Sequence, residues 1–242
     1  MEPVQVGVVK EAYLYPVKSM GGHAAAEVFL NWHGCDGDRK YAFVQDGNTS
    51  DFPWLTARQA PKMLHYTPYF MEPGNRAKSA ITVQTPDGKH LPLESPELVE
   101  SLAAHYPDKF HLIHLGVGVF DEFPISIIST ETLKGLTTRV GFPVESNRFR
   151  PNIIIEPLEP IDAIEDQWVA RTLAFGAMLD APSVAVSQRD PRCVLVNYDR
   201  KTLKQTPEVL REIAQHRSNG TGVYGSVVTI GAIKVGDPVF LV

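Results

Sequence analysis

The chain contains little cysteine. Its 242 residues include only Cys35 and Cys193, too few for the dense disulfides of small secreted scaffolds, and this usage fits a reducing compartment. A self-contained iron–sulfur cluster normally needs four thiolates, and a pair of C-x-x-C zinc knuckles needs the same number. The sequence therefore excludes both, and either thiol is a candidate for a chemical role.

Long apolar runs and an excess of basic charge are also missing. No run approaches the roughly 18–20 apolar residues of a membrane-spanning helix, and no basic segment followed by an apolar core marks a secretory signal. The formal net charge is −5, so bulk electrostatic binding of nucleic acid or an acidic membrane is not expected. We expect a cytoplasmic protein without a membrane span and without a nucleic-acid partner.

Familiar ligand-binding signatures are absent as well. No G-x-G-x-x-G follows a strand, and the P-loop spacing does not occur. No spacing of His, Asp and Glu resembles a zinc or calcium site. Functional residues are therefore expected in combinations that match none of these signatures.

Short strand signals bounded by Gly, Pro and Asp dominate the chain. The turn Thr85-Pro-Asp-Gly88 predicts a hairpin, since Pro and Gly stand at the second and fourth positions of a type I turn. The predicted strands are 4–15, 40–45, 80–84, 90–93, 111–115, 124–128, 152–155, 171–179, 183–187, 194–197, 224–230, 231–234 and 238–242.

Helix signals are few. Cap residues predict helices over 97–105, 130–140 and 208–216, preceded by Ser95-Pro96, Ser129 and Thr206-Pro207. Many short strands and few helices predict a mainly β fold with a few α-helices, a barrel and not a parallel α/β sheet. A soft boundary lies near 116–122, and 52–115 reads as an inserted lobe.

Cys193 lies between a polar turn that contains Arg189 and Arg192 and an apolar run. Neighbouring cations stabilise a thiolate, which attacks an electrophile or binds a soft metal. The alternative is a buried small hydrophobe. A nucleophilic cysteine would also need a histidine base, for which His23 and His33 are candidates.

A second element, residues 15–22, suits a phosphate. Lys18 supplies a point charge, Ser19 a hydroxyl group, and Gly21-Gly22 would let backbone amides approach a ligand. An ordinary solvated turn is the alternative.

Two further arginines stand just before strands. Arg39 would bind an anion in a fork, although a surface ion pair with Asp38 explains it equally well. Arg150 and Asn152 flank Pro151, which fixes the backbone between them. Arg binds phosphate, and Asn both donates to and accepts from a heterocycle; an edge-of-sheet Arg with a structural Asn is the alternative.

Ser129 and Thr130 open the second predicted helix. Free backbone amides at a helix start favour an anion. The alternative is that Ser129 only caps its own helix.

Six elements occur in order along the chain. They are Tyr15-Pro-Val-Lys-Ser19, Asp38-Arg39, Leu55-Thr-Ala-Arg-Gln-Ala-Pro61, Phe149-Arg-Pro-Asn-Ile-Ile-Ile155, Arg192-Cys193 and Ile233-Lys-Val-Gly-Asp-Pro-Val239. This order resembles a MOSC protein, named after the C-terminus of molybdenum-cofactor sulfurase, preceded by the MOSC N-terminal β-barrel domain. Within this family, the chain resembles the mitochondrial amidoxime-reducing component and its bacterial relatives.

The resemblance implies a MOSC-type β-barrel with an inserted or N-terminal β-rich lobe. It implies domains at 1–115 and 116–242, with the first strands completing the main barrel. It also implies a molybdenum–molybdopterin cofactor whose metal is bound by the Cys193 thiolate, a soft ligand for a transition metal. The cofactor-binding positions carried over are Lys18, Ser19, Arg39, Ser129, Thr130, Arg150, Asn152 and Arg192. Pyridoxal phosphate binding is a further property that the resemblance implies.

The activity implied is that of an oxidoreductase that reduces small N-hydroxylated or N-oxide-type substrates. Electrons would come from a separate flavin, haem or iron–sulfur protein. A non-redox molybdenum-cofactor or sulfur-carrier protein and a metal-free thiol nucleophile stay open as alternatives. Asp190-Pro191 stand where the family often has a small or hydroxyl residue two places before the cysteine, and we expect them to change access to the metal.

Overall fold

The computed structural model describes residues 2–178 and 180–242, which form seventeen strands and three α-helices. The strands are β1 Val4–Leu14, β2 His23–Ala25, β3 Glu27–Asn31, β4 Gly34–Cys35, β5 Tyr41–Gln45, β6 Trp54–Leu55, β7 Thr67–Phe70, β8 Ile81–Gln84, β9 His90–Pro92, β10 Phe110–His114, β11 Ile125–Ser129, β12 Ile153–Pro157, β13 Thr172–Phe175, β14 Ser183–Pro191, β15 Gly220–Thr229, β16 Gly231–Lys234 and β17 Pro238–Leu241. The helices are α1 Pro96–Ala103, α2 Thr130–Val140 and α3 Glu208–His216. The prediction of a mainly β protein with a few helices is confirmed.

Seven strands close into a barrel in the order β12-β11-β15-β14-β13-β17-β1, because β1 also pairs with β12. The pairing of β11 with β12 is parallel, and β1 runs antiparallel to both of its barrel neighbours, β12 and β17. Closure leaves these strands without an unpaired edge. The predicted barrel is confirmed.

The helices α2 and α3 cover one side of the barrel wall. Ile128 on β11 and Ile154 on β12 pack in one core cluster with Leu136 of α2 and Ile213 of α3. Successive strand residues face opposite sides, so every residue of β11 is buried between the helices and the barrel interior. This explains why the strand reads as an unbroken apolar run.

Contacts divide the chain into two compact units. The first runs to Tyr13, from Ala24 to Asp36 and from Asp121 to Val242, and it contains the closed barrel with α2 and α3. The second comprises Leu14–His23 and Gly37–Phe120, with the sheets β10-β5-β6 and β7-β8-β9 and the helix α1. The domain division at 115/116 stays a prediction.

Several local predictions are confirmed at the caps. The Ser95 and Ser129 side chains accept hydrogen bonds from the backbone N–H groups of Leu98 and Thr132, and Gly141 ends α2 with a φ of 79°. At α3 the prediction of a Thr206 cap is wrong. The cap residue is Pro207 without a side-chain bond, and the Thr206 hydroxyl donates to the Asn197 carbonyl instead.

Other strand predictions differ from the structure. Val194–Asn197 forms a 3-10 turn and not a strand, because a short apolar run has no periodicity that separates the two. Strands β2, β3, β4, β6 and β7 were not predicted, although the alternating Glu27–Asn31 carried a signal. The strand expected at 171–179 ends at Phe175, and Leu179 lies outside the described residues. In the described part of the chain, every helix lacks the length or the apolar character needed to cross a membrane.

Candidate functional site

Cys193 lies two residues after the end of β14 and is partly exposed. On its N-terminal side, the Arg192 N–H donates to the Asn219 carbonyl at 2.8 Å, and the Asn219 side-chain amide donates back to the Arg192 carbonyl at 3.0 Å. On its other side, the Val196 N–H closes the 3-10 turn on the Cys193 carbonyl at 3.2 Å. The backbone that carries the thiol is therefore held from both directions.

The Arg192 guanidinium is turned into the protein. Its Nη2 lies 2.7 Å from Asp190 Oδ2, and it donates to the carbonyls of Thr221 at 2.7 Å and Phe149 at 2.9 Å. The Ser126 hydroxyl completes this group by donating to Asp190 at 2.9 Å. The carboxylate that we expected to affect access to the metal is thus buried and neutralises Arg192.

Arg189 also has an acidic partner, since its Nε lies 3.1 Å from Asp166 Oδ1. The positive charges of Arg189, in β14, and Arg192, just after it, are therefore both neutralised by carboxylates. The predicted stabilisation of a Cys193 thiolate by these two arginines is therefore weakened, and their bonds to backbone carbonyls attach the thiol segment rigidly instead.

Asn152 joins two barrel strands where β12 begins. Its side chain is fully buried, with Oδ1 accepting from the Ser126 N–H at 3.2 Å and Nδ2 donating to the Tyr13 carbonyl at 3.4 Å. An amide oxygen has a second lone pair and an amide nitrogen a second hydrogen. A contact with a heterocycle would have to use this second lone pair or this second hydrogen. The predicted role of Asn152 in binding the cofactor stays a prediction.

Ser129 and Thr130 lie apart from the Asp190 group. Ser129 stands three residues after Ser126 on β11, so the two side chains face opposite sides of the strand. The Ser129 hydroxyl accepts from the Thr132 N–H at 3.0 Å and donates to Glu165 at 2.6 Å. The structure therefore confirms the capping interpretation and adds Glu165, which the sequence did not single out.

Glu165 is fully buried, and desolvation raises the pKa of its carboxyl group, against the hydrogen bonds from Ser129 and Thr132. Thr130 follows Ser129 directly, and its buried hydroxyl oxygen has no hydrogen-bond partner among the described residues. A buried hydroxyl without a partner is unfavourable, so a bound polar group would be accommodated here.

The second unit contains Lys18, Ser19 and Arg39. Lys18 is almost fully buried and its ammonium donates to the Val119 carbonyl at 3.1 Å. The Arg39 guanidinium pairs with the buried Asp38 and lies 4.9 Å from the Tyr15 ring centroid. The ion pair considered from the sequence exists, but it is an interior contact and not a surface one.

The two glycines after Ser19 have a structural use. The Gly21 N–H donates to the Tyr66 carbonyl at 2.8 Å, and a Cβ atom at Gly22 would lie 2.3 Å from the Tyr15 ring. The prediction that these amides approach a ligand is therefore not met at Gly21. Both positions allow close packing that a side chain would prevent.

Three of the predicted cofactor-binding residues have left-handed backbone. The φ angles are 65° at Ser19, 50° at Arg39 and 54° at Arg150. Such conformations cost about 1–2 kcal/mol for residues with a Cβ atom and are concentrated at functional sites. The left-handed backbone at Arg150 is the most unusual of the three, because a proline such as Pro151 favours extended backbone at the residue before it.

These residues fit a molybdenum–pterin cofactor in their chemistry. Cys193 offers a partly exposed soft ligand, and Arg39 and Arg150 are strained residues of the type that binds phosphate. The Thr130 hydroxyl lacks a partner among the described residues. The site assignments themselves stay predictions.

Sequence reasoning missed residues that hold the thiol segment. Arg148 donates to the carbonyls of Val196 and Asn197, and Arg200 donates to the Arg148 carbonyl. These contacts join residues about fifty positions apart, which no local pattern reveals. Asn219, with a φ of 62°, carried a signal, because Asn before Gly is typical of left-handed turns.

The candidate histidines lie elsewhere. His23 belongs to the second unit, where its Nδ1 lies 2.9 Å from the Pro68 carbonyl and desolvation lowers its pKa. His33 is exposed between β3 and β4. The histidine–cysteine pair stays a prediction.

Two family models match the chain. The MOSC domain matches residues 107–240, and the MOSC N-terminal beta barrel domain matches residues 6–110. These matches confirm the resemblance inferred from the six ordered elements.

Curated relatives and a solved structure extend the match over the whole chain. Mitochondrial amidoxime reducing component 2 of Rattus norvegicus is 26% identical and mitochondrial amidoxime-reducing component 1 of Homo sapiens is 23% identical, each over 98% of this chain and 83% of the relative. The YUAD protein from Bacillus subtilis has a similar fold, with a TM-score of 0.53 at 11% identity over 98% of this chain and 95% of its own.

Proposed function

Because the chain belongs to the MOSC domain family, we propose that it binds molybdenum–molybdopterin through Cys193 and reduces small N-hydroxylated or N-oxide-type compounds. The names of the relatives, mitochondrial amidoxime-reducing components, support this substrate class. The observation that carries the proposal is the placement of Cys193, a partly exposed thiol whose backbone is fixed on both sides.

The other predicted residues would bind the organic part of the cofactor. Lys18, Arg39 and Arg150 would bind the phosphate, because guanidinium and ammonium groups are its usual partners. Ser19, Thr130 and Asn152 would hydrogen-bond to the pterin. Arg192 would act through the backbone of the thiol segment, since its guanidinium is bound to Asp190 and two carbonyls.

When bound, the cofactor supplies a two-electron reduction in which the N–O bond of the substrate breaks and two protons complete a water molecule. The chain's own residues ligate, orient and provide charge around it. The electrons would come from a separate flavin, haem or iron–sulfur protein. The cytoplasmic location stays a prediction.

The proposal is tested by expressing the chain in a host that synthesises the cofactor. Molybdenum is measured by elemental analysis, pterin by fluorescence, and reduction of a small amidoxime with reduced methyl viologen as donor. Cys193→Ser is compared with Cys35→Ala, which changes the other, buried thiol. We expect activity to fall at least about a hundredfold in Cys193→Ser, as removal of a metal ligand should, and to persist in Cys35→Ala.

Equal activity and equal molybdenum content in the two variants would remove Cys193 from the site. Bound cofactor without reductase activity in the wild-type protein would favour the carrier function. A wild-type protein without molybdenum that is alkylated stoichiometrically at Cys193 would favour the metal-free nucleophile.

A further inference from the structure

Three consecutive backbone carbonyls, those of residues 147–149, accept hydrogen bonds from two arginines. Arg200 donates to the first two at 3.1 and 3.0 Å, and Arg192 donates to the third at 2.9 Å. These carbonyls end a short 3-10 turn, where the helix itself supplies no further donors. The arginines that satisfy them come from the segment around Cys193.

The attachment also runs in the opposite direction. Arg148, which is 3% exposed, donates from Nη1 to the carbonyls of Val196 and Asn197 at 3.3 and 3.0 Å. Both carbonyls lie in the 3-10 turn that begins after Cys193. Hydrogen bonds from a charged donor are stronger than neutral ones, so the two segments are joined as one body.

The residue that follows the three carbonyls is Arg150. Its left-handed backbone, directly before Pro151, is unfavourable by itself. A strained backbone persists when the surrounding structure over-determines it. The bonds from Arg200 and Arg192 fix the peptide groups immediately before Arg150 and provide that constraint.

We infer that Arg200 is a positioning residue that sets the Arg150 side chain relative to the Cys193 thiol through the carbonyls of Asn147 and Arg148. The inference rests on the proposed function, in which Arg150 and Cys193 bind the same cofactor. Arg200 is well suited because a planar guanidinium spans two adjacent carbonyls, which a lysine ammonium does not reproduce. It is partly exposed, whereas Arg148 is buried, so replacing it leaves the core intact.

The first test uses cofactor-free protein in a Cys35→Ala background, so that Cys193 is its one thiol. The rate of Cys193 alkylation by iodoacetamide is compared among Arg200→Ala, Arg200→Lys and the control Arg211→Ala, an exposed arginine on α3. We expect a rate about fivefold higher in Arg200→Ala, as release of one or two such bonds allows. Arg200→Lys should lie between, and Arg211→Ala should match the parent.

Chemical rescue separates positioning from general loss of stability. Added methylguanidinium should return the alkylation rate of Arg200→Ala toward the parent and leave Arg211→Ala unchanged. The Tm of each variant is measured alongside, and alkylation is followed well below it. Equal alkylation rates in Arg200→Ala and the parent would overturn the inference.

The second test is a double-mutant cycle on molybdopterin content in protein from a cofactor-competent host. If Arg200 acts through Arg150, then Arg150→Ala with Arg200→Ala should retain as much cofactor as Arg150→Ala by itself. Independent, additive losses would contradict the inference. A wild-type protein without cofactor would instead defeat the proposed function, and the alkylation comparison would still measure the attachment.

Discussion

Asp190 Oδ2 lies 2.7 Å from Arg192 Nη2, and both side chains are buried, Asp190 at 1% and Arg192 at 8% exposure. The ion pair stands directly before Cys193 in the chain. Ser126 ties the carboxylate to β11, and the Phe149 carbonyl ties the guanidinium to the turn before β12. The charged pair thus anchors the thiol segment to β11 and to the turn before β12.

Replacing Asp190 should be strongly destabilising. Asp190→Ala leaves the buried Arg192 charge unpaired, and the free energy of unfolding should fall by about 3–5 kcal/mol. Glu156→Ala is the control, because its ion pair with Lys10 is about half exposed and such pairs contribute about 0–1 kcal/mol. Urea unfolding of both variants measures the difference; similar losses would mean that Asp190 does not carry the pair's stability.

Glycine at Arg150 should separate stability from cofactor binding. Arg150→Gly and Arg150→Ala both remove the guanidinium, but glycine relieves the left-handed backbone and should be more stable by about 1 kcal/mol. Both should lose cofactor. Ala163→Gly is the control, since Ala163 has a φ of 58° and no predicted role. It should be at least as stable as the parent with unchanged molybdenum content, measured by thermal unfolding and elemental analysis.

Glu165 should make stability fall as pH rises. Desolvation raises the pKa of its carboxyl above the ordinary value of 4.5, so between the unfolded and folded pKa values the folded chain binds more protons. The free energy of unfolding therefore decreases with pH in that window. Glu165→Gln removes the titration, so its stability relative to wild type should increase from pH 4 to pH 8 in urea unfolding. The opposite trend would place the folded pKa below 4.5.

Asn219 should restrain the thiol through the Arg192 carbonyl. Asn219→Gly keeps the left-handed turn but loses the 3.0 Å bond from Nδ2, and Cys193 should react faster with iodoacetamide. Ser218→Gly tests the backbone effect alone, because Ser218 is exposed and also left-handed. Alkylation rates in Cys35→Ala protein distinguish them, and equal acceleration in both would assign the effect to the backbone.

The sequence predicted most of the barrel strands because their apolar runs and Gly/Pro turns are local features. Ser129 and Gly141 even placed both ends of α2. It failed at 194–197, where an apolar run of four residues forms a turn. Arg148 donates hydrogen bonds to the Val196 and Asn197 carbonyls of this turn. The hydrophobic periodicity of the sequence carries no information about such a distant contact.

Local patterns also indicate the candidate residues, but they do not indicate the surroundings of those residues. The sequence pattern identifies Arg192 as a cation near a thiol. It does not show that Asp190 forms an ion pair with Arg192 and neutralises its charge. Nor does it tell that Ser126, and not Ser129, faces that ion pair. Such details follow from strand register, which is set by pairings between distant segments.

The order of the barrel strands has a consequence for synthesis. β1 is synthesised before β12 and β17, yet it is bonded to both, with Val4 opposite Leu241. The edge of β1 that pairs with β17 must wait until β17 has been synthesised, and pairings so distant in sequence form slowly. Until β17 is made, β1 therefore carries an unpaired edge that favours aggregation, and a chaperone that covers β1 would act on this step.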